Sequence, residues 1–292
     1  MSLGPRAVLV HRTTEYEELV ARHGTHGQAA YFLATHGRDI AEPAERHRRA
    51  VRVLAEVAAA VPLAWRRARV ERADLDRFLF GPEDIVVVAG GDGLVANTAK
   101  YLTGQPVIGV DTDPGRNPGV LVRHRSADAA GLLTAAGAGH GTYADLTMVE
   151  AVTDDAQRLL ALNEIYLGHS SHQTARYRIG GEAQASSGVL VGTGTGATGW
   201  LRSVWQERGG TLPLPDPRLR HLLWFVREAW PSPTTGTTAS AGLLTESERL
   251  SVTVESERLV AFGDGMEADA LDLTWGQTVH LGCAPTTLRL LT

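Results

Sequence analysis

An unbroken apolar run, Ile85-Val86-Val87-Val88-Ala89, leads directly into Gly90-Gly91-Asp92-Gly93, and this junction constrains the fold more than any other part of the chain. Consecutive small or β-branched apolar residues describe a strand buried on both faces, the condition of a parallel sheet covered by helices. Gly81-Pro82 marks a turn before the run, and Leu94 to Leu102 reads as helix after it. Glycines at 90, 91 and 93 let backbone amides approach an anion with no Cβ in the way. A carboxylate in such a turn is repelled by phosphate unless a metal or a transferable proton accompanies it, so Asp92 points to chemistry beside a phosphate. The plainer alternative is a tight turn in which Asp92 caps the next helix. The turn's place at the C-terminal end of a parallel strand, where open α/β sheets bind ligands, favours the functional reading.

Neighbouring segments extend the pattern. Ala7 to His11 reads as a strand, and Ala50, Val51, Leu54, Val57, Ala58 and Val61 recur at helical spacing after Pro43. Leu63 to Trp65 is expected to open a second strand. Pro106 to Val110 forms another, ahead of a turn from Asp113 to Gly119, and Ser126 to Ala136 reads as a short helix. This order indicates a parallel sheet with helices on both faces. The texture changes at Gly137-Ala138-Gly139-His140-Gly141. Short alternating runs follow at Leu146–Val152, Leu159–Leu167, Ser187–Val191, Ser251–Val254, Leu259–Phe262, Thr278–Leu281 and Leu288–Leu291. They describe a mostly antiparallel β domain. The expected organisation is α/β + β: a parallel-sheet α/β domain over residues 1–140, then a β-rich domain over 141–292. Whether the C-terminal segment packs back on the first domain is left open.

With 43% hydrophobic and 21% charged residues, the 292-residue chain has the balance of a globular protein. Its net charge of −5 provides no general attraction to nucleic acid or anionic membrane, so neither is an expected partner. A phosphate site must then be built locally. No apolar stretch follows a basic start in Met1 to Val10, and none approaches the ~20 residues needed to span a bilayer. One cysteine, Cys283, excludes an intrachain disulfide and fits a reducing, cytoplasmic setting as a packing residue.

A second glycine run, Gly192-Thr193-Gly194-Thr195-Gly196-Ala197-Thr198-Gly199-Trp200, follows Val189-Leu190-Val191. It formally contains G-x-G-x-x-G, but it lies among β-like segments and lacks the acidic residue ~20 positions on that the dinucleotide fingerprint requires. A better account is a polar small-molecule pocket lined by backbone and by the hydroxyls of Thr193, Thr195 and Thr198; a threonine-rich turn entering a helix is the alternative. Asn163-Glu164 places an amide and an acid within an apolar run, where at least one needs partners and a structural hydrogen-bond role is, on the residues alone, the plainer reading. Asp264 repeats the acid-between-glycines pattern in Gly263-Asp264-Gly265, which a hairpin turn also explains. The histidines show no zinc spacing, and neither a Walker A motif nor a G-x-S-x-G elbow occurs.

Together these motifs resemble the NAD kinases, in the superfamily that includes diacylglycerol and sphingosine kinases. Gly90-Gly91-Asp92-Gly93, Ile108-Gly109-Val110-Asp111-Thr112-Asp113-Pro114, Leu162-Asn163-Glu164 and Thr193 to Trp200 occur in the family's order, followed by Asp264-Gly265. Thr13-Thr14-Glu15-Tyr16-Glu17, Ser186-Ser187-Gly188 and Val226-Arg227-Glu228 are similar to the mitochondrial-type branch. The resemblance implies a Rossmann-like domain joined to a β-rich NAD-binding domain, with substrate between them and assembly into a homo-oligomer, a dimer being expected. It implies transfer of the ATP γ-phosphoryl to the 2′-hydroxyl of the adenosine ribose of NAD, with Mg²⁺ present and metal ligands unassigned.

In that reading Asp92 is the catalytic residue. Gly90, Gly91, Gly93, Asp264 and Gly265 bind phosphate. Asn163, Glu164, Ser187, Thr195, Gly196, Thr198 and Ser203 contact NAD. The chain departs from the pattern at Leu94, where threonine is common, and at Asp111, where asparagine is usual; Arg116, Arg123 and Arg125 are available to compensate the added charge. These departures leave open a kinase of the same fold acting on NADH, a nucleoside or another hydroxyl acceptor, and a non-catalytic dinucleotide sensor.

Overall fold

The computed structural model describes residues 4–116 and 119–292, and the chain divides into two compact units. Asn117 and Pro118 of the expected turn lie outside the described residues. The first unit extends to Thr98 and includes Gln105–Ala144 and Arg289–Thr292. Its elements are β1 (Arg6–His11), α1 (Glu15–His23), α2 (His26–Thr35), α3 (Ala41–Ala60), β2 (Arg66–Glu71), β3 (Asp84–Gly90), α4 (Asp92–Ala99), β4 (Pro106–Asp111) and α5 (Ala129–Gly137). The strands form a parallel sheet in the order β2-β1-β3-β4. β3 is buried along its whole length, as its apolar run requires. Val53 and Val57 of α3, with Ala129 and Leu133 of α5, cover one face through contacts to Ala7, Ile85, Val87 and Ile108.

Several boundaries differ from the sequence expectation. Pro43 lies inside the first turn of α3, where the missing N–H has no intrahelical acceptor to lose. Leu63 to Trp65 form a turn, with Leu63 95% exposed, and the second strand is the arginine-rich β2. β2 is the sheet edge, where charged side chains rather than an apolar alternation are favoured. α1 and α2 were not anticipated, although Thr14 and Glu17 form a reciprocal capping box at the start of α1.

The second unit contains Ala99–Gly104 and Asp145–Leu288. The strands from here on are β5 (Tyr143–Thr153), β6 (Arg158–Ala161), β7 (Glu164–Gly168), β8 (Ala175–Ile179), β9 (Glu182–Ser186), β10 (Val189–Gly192), β11 (Leu222–Val226), β12 (Ala241–Leu244), β13 (Arg249–Val254), β14 (Arg258–Gly263), β15 (Met266–Thr274) and β16 (Thr278–Leu291), the start of β5 and the end of β16 belonging to the first unit; α6 (Trp200–Glu207) follows the second glycine run. One antiparallel sheet has the order β12-β11-β10-β7-β14-β15, and the opposing layer includes β16, β13, β8, β9, β5 and β6. Their inner faces share a core that includes Val149, Ile165, Tyr177, Val191, Val252, Ala261 and Leu281. The fold is therefore a parallel-sheet α/β domain with an antiparallel β domain, as the sequence texture indicated. Two details change: Leu159–Leu167 is two strands broken at Leu162-Asn163, and the last two expected strands are one continuous β16. Among the described residues no helix is long and apolar enough to cross a membrane.

Gly109 in β4 determines how the following loop returns. A Cβ there would lie 2.2 Å from the Leu121 carbonyl oxygen, because the 120–124 segment crosses the strand against its backbone. His124 N donates to Gly109 O (3.2 Å), and Asp111 N donates to His124 O (2.9 Å). Gly109→Ala is accordingly expected to destabilise the protein by about 3 kcal/mol, the upper part of the range for overpacking. Urea unfolding checks this; a loss below about 0.5 kcal/mol would show that the loop yields freely.

Candidate functional site

The first glycine turn holds Asp92 by a device that sequence reasoning did not foresee. Asp92 opens α4, and its carboxylate reaches the loop after β4. Oδ2 accepts from Val120 N (2.9 Å), and Oδ1 accepts from Leu121 N (2.8 Å) and Val122 N (3.0 Å). A carboxylate offers about four lone-pair positions, so roughly one stays free for a further donor. Gly90 gives Leu94 room: a Cβ at 90 would lie 2.8 Å from Leu94 Cδ2. Leu94 is thus buried against the turn, and the side chain at this position packs inward. Asp111 Oδ1 accepts from Asp113 N (2.8 Å), a local turn that places an amide on the added charge. The nearby arginines turn elsewhere: Arg116 pairs with Glu42 (3.1 Å), and Arg123 Nε donates to Val120 O (2.6 Å).

The second unit repeats the device. Asp264 lies in the β14–β15 hairpin at φ 54°, between Gly263 and Gly265. Its Oδ2 accepts from Leu162 N (2.7 Å), and Oδ1 accepts from Asn163 N (2.7 Å) and, more weakly, Glu164 N (3.4 Å). These bonds occupy the break between β6 and β7. β7 runs antiparallel to β10 and β14, so its first residues meet the last residues of both neighbours: Glu164 is opposite Gly192, and Ile165 is opposite Gly263. One sheet corner therefore gathers Asn163, Glu164, the second glycine run and Asp264.

Backbone contact tightens this corner. Thr193 N donates to Asn163 O (2.9 Å), and Thr193 Oγ1 donates to Leu162 O (2.6 Å). A Cβ at Gly196 would lie 2.3 Å from Asn163 O and 3.1 Å from Glu164 Oε2, so only glycine permits this approach. The buried Thr195 hydroxyl ends here without a hydrogen-bond partner among the described residues, beside the half-buried side chains of Asn163 and Glu164. A buried hydroxyl is rarely left unpaired unless a ligand or water completes it.

Charge is unevenly shared. Burial, with the neighbouring Asp264 carboxylate, pushes Glu164 from 4.5 up to about 8. Burial also raises Asp264, from 3.8 to about 6, opposed by its amide bonds and by Lys100. Lys100 borders this candidate site, and the sequence reading missed it. Its ammonium is buried, donating to Asp269 Oδ1 (2.7 Å) and Gly263 O (3.2 Å), and Tyr101 Oη donates to Asp269 Oδ2 (2.7 Å). A lysine at the end of an apolar helix was the available signal.

Other expected contacts are more peripheral. Thr198 is exposed, its hydroxyl donating to Thr195 O (2.8 Å). Ser187 is exposed at the opposite end of β10 from Gly192, with its carbonyl accepting from Tyr166 Oη (2.9 Å). Ser203 is exposed on α6. The structure does not bring Ser187 to the Asn163–Glu164 corner. Trp200 stacks on Tyr166 (5.8 Å) beneath the Arg227 guanidinium (5.3 Å). Cys283 is buried in the β-domain core.

No known protein-family profile matches the chain. It is similar to an NAD kinase of Mesorhizobium japonicum, with 34% identity over 148 residues, covering 47% of this chain and 54% of the relative. The chain thus spans about half the length of the curated relative it matches.

Because the folded value of Glu164 lies above its reference value of 4.5, its contribution to stability is complete below that pH and is lost as pH rises to about 8. Glu164→Gln is expected to flatten this decline and to be more stable than wild type above pH 8. Urea midpoints measured across the range check it; parallel curves for the two proteins would place the titrating group elsewhere.

Proposed function

We propose that the protein transfers the γ-phosphoryl group of ATP to the 2′-hydroxyl of the adenosine ribose of NAD, giving NADP. The observation that carries this reading is the β-domain corner, where the half-buried Asn163 and Glu164 side chains meet the unpaired Thr195 hydroxyl, in the order of motifs shared with NAD kinases. The similarity to the Mesorhizobium japonicum NAD kinase supports it. Asn163 and Glu164 are assigned to ribose and adenine, with Thr195, Gly196 and Thr198 beside them and Ser187 and Ser203 as outer contacts. The amides of the Gly90–Gly93 turn are assigned to phosphate.

Phosphoryl transfer passes through a loose transition state, so positioning and charge neutralisation matter more than full deprotonation of the nucleophile. Asp92 suits that task. Three amides fix its carboxylate, and the remaining lone pair is available to accept from the attacking hydroxyl and align it. Asp264 is assigned to holding Asn163 and Glu164 in place and, with Gly265, to the neighbourhood of the phosphates. Among the described residues no group of three or more His, Cys, Asp or Glu side chains is arranged to hold a metal ion. Mg²⁺, which keeps few protein ligands, would be carried on the phosphate oxygens of ATP and would neutralise their charge. Placement in the mitochondrial-type branch, a cytoplasmic setting and a homodimer belong to the same reading.

NADP formation from NAD and Mg-ATP tests the assignment. Asp92→Asn is expected to lower kcat by at least about 100-fold while NAD binding persists, since the NAD contacts belong to another unit. Absence of NADP from a folded, NAD-binding wild type would favour the sensor reading; turnover with another hydroxyl compound alone would favour a different acceptor. Thr195→Val, which removes a hydroxyl without protein partners, should leave the unfolding midpoint unchanged and raise KM for NAD about tenfold. An unchanged KM would exclude Thr195 from the NAD site.

A further inference from the structure

Glu164 and Asp264 are neighbouring carboxyl groups with opposite surroundings. Asp264 receives amide hydrogens from Leu162, Asn163 and Glu164, and the buried Lys100 ammonium holds the Gly263 carbonyl of the same hairpin. Asp269 on β15 and the Tyr101 hydroxyl complete the bonding around that ammonium. Glu164 receives none of this: its carboxyl has no N–H donor and no cationic partner among the described residues. The elements flanking it on the other side offer Gly192, Thr193, Thr195 and Gly196, with Leu201 of α6 close to Gly192, and none carries charge. Asp264 is the charge acting directly on Glu164, and Lys100 acts on Asp264.

Two adjacent carboxyl groups in a poorly solvated corner do not both ionise readily, and the negative charge settles where donors and a cation already wait. We infer that the pair holds one proton at neutral pH, that it resides on Glu164, and that Glu164 meets its ligand as a neutral acid donating a hydrogen bond. Burial raises both groups, and the amide bonds and Lys100 that draw Asp264 back down have no counterpart at Glu164, which agrees with this placement. A carboxylate only accepts, whereas a carboxylic acid donates and accepts together. The group therefore suits a ligand hydroxyl, an ether oxygen or an unprotonated purine nitrogen. It also adds no repulsion toward a phosphorylated ligand.

The inference rests on the NAD-site reading for its ligand but not for the location of the proton. Two measurements separate them. In nucleotide-free protein, ¹³C NMR of labelled carboxyl groups, with the Glu164 signal identified by its loss in Glu164→Gln, should show Glu164 titrating near 8 and above Asp264. NAD binding by calorimetry should weaken about tenfold from pH 7 to pH 9 in wild type and lose that dependence in Glu164→Gln. A Glu164 signal titrating in the ordinary carboxylate range would overturn the inference whether or not NADP is formed. A decline in NAD affinity shared by wild type and Glu164→Gln would overturn the donor role. Titration near 8 without NADP formation would instead remove the kinase reading and leave the proton on Glu164.

Discussion

A carboxylate held between glycines, capturing three successive backbone amides from a remote loop, is the constraint on which the rest of the structure depends. Asp92 does this for Val120 to Val122 and Asp264 for Leu162 to Glu164. Hydrogen bonds from amides to an ionised acceptor are shorter and stronger than neutral ones, and several on one group fix direction as well as position. The flanking glycines give the acid-bearing turn freedom to approach a second backbone closely. Asp264, with the Thr193 bonds to the Asn163 and Leu162 carbonyls, holds the β6–β7 break in the shape that presents Asn163 and Glu164.

Topology places this clamp usefully. β7 is antiparallel to both its neighbours, so its beginning meets their ends, and both neighbours end in glycine-rich turns. The result is a corner built from strand termini, in which glycine lets backbone atoms come into close contact and the Asn163 and Glu164 side chains stay half-buried. The buried Lys100–Asp269 pair belongs to the same construction. Its ammonium satisfies the Gly263 carbonyl and offsets part of the negative charge that Asp264 brings into a site poor in water.

The parts of the fold legible in sequence were those where burial imposes a simple period. β3 announced itself because both its faces are covered, and α3 because one face of a long helix meets the sheet. β2 was misplaced because an edge strand needs no apolar pattern, and its arginines resemble a loop. The β6–β7 break was invisible because Leu162 stays buried while its amide leaves the strand ladder to bond Asp264. Among the candidate residues of the two units, Asp92, Asn163, Glu164 and Asp264 were visible as polar residues in apolar or glycine-rich surroundings. Lys100 was not, since a lone lysine after a helix carries no spacing that distinguishes a buried ammonium from a solvated one.

Sequence by itself determined the class of the fold, the two kinds of sheet and the glycine turns that allow close backbone approach, because these follow from local periodicity and from the absence of a Cβ. Only the tertiary structure decided what each acid does. Asp92 and Asp264 have the same local sequence as ordinary turn aspartates, and Glu164 that of a strand residue. Their roles arise from which amides, cation or empty space stand opposite them, and those partners come from positions about 30 to 160 residues away in the chain. Electrostatic environment is a property of the folded neighbourhood, so the division between a charged clamp and an unpartnered acid appears only once the strands have been brought into register.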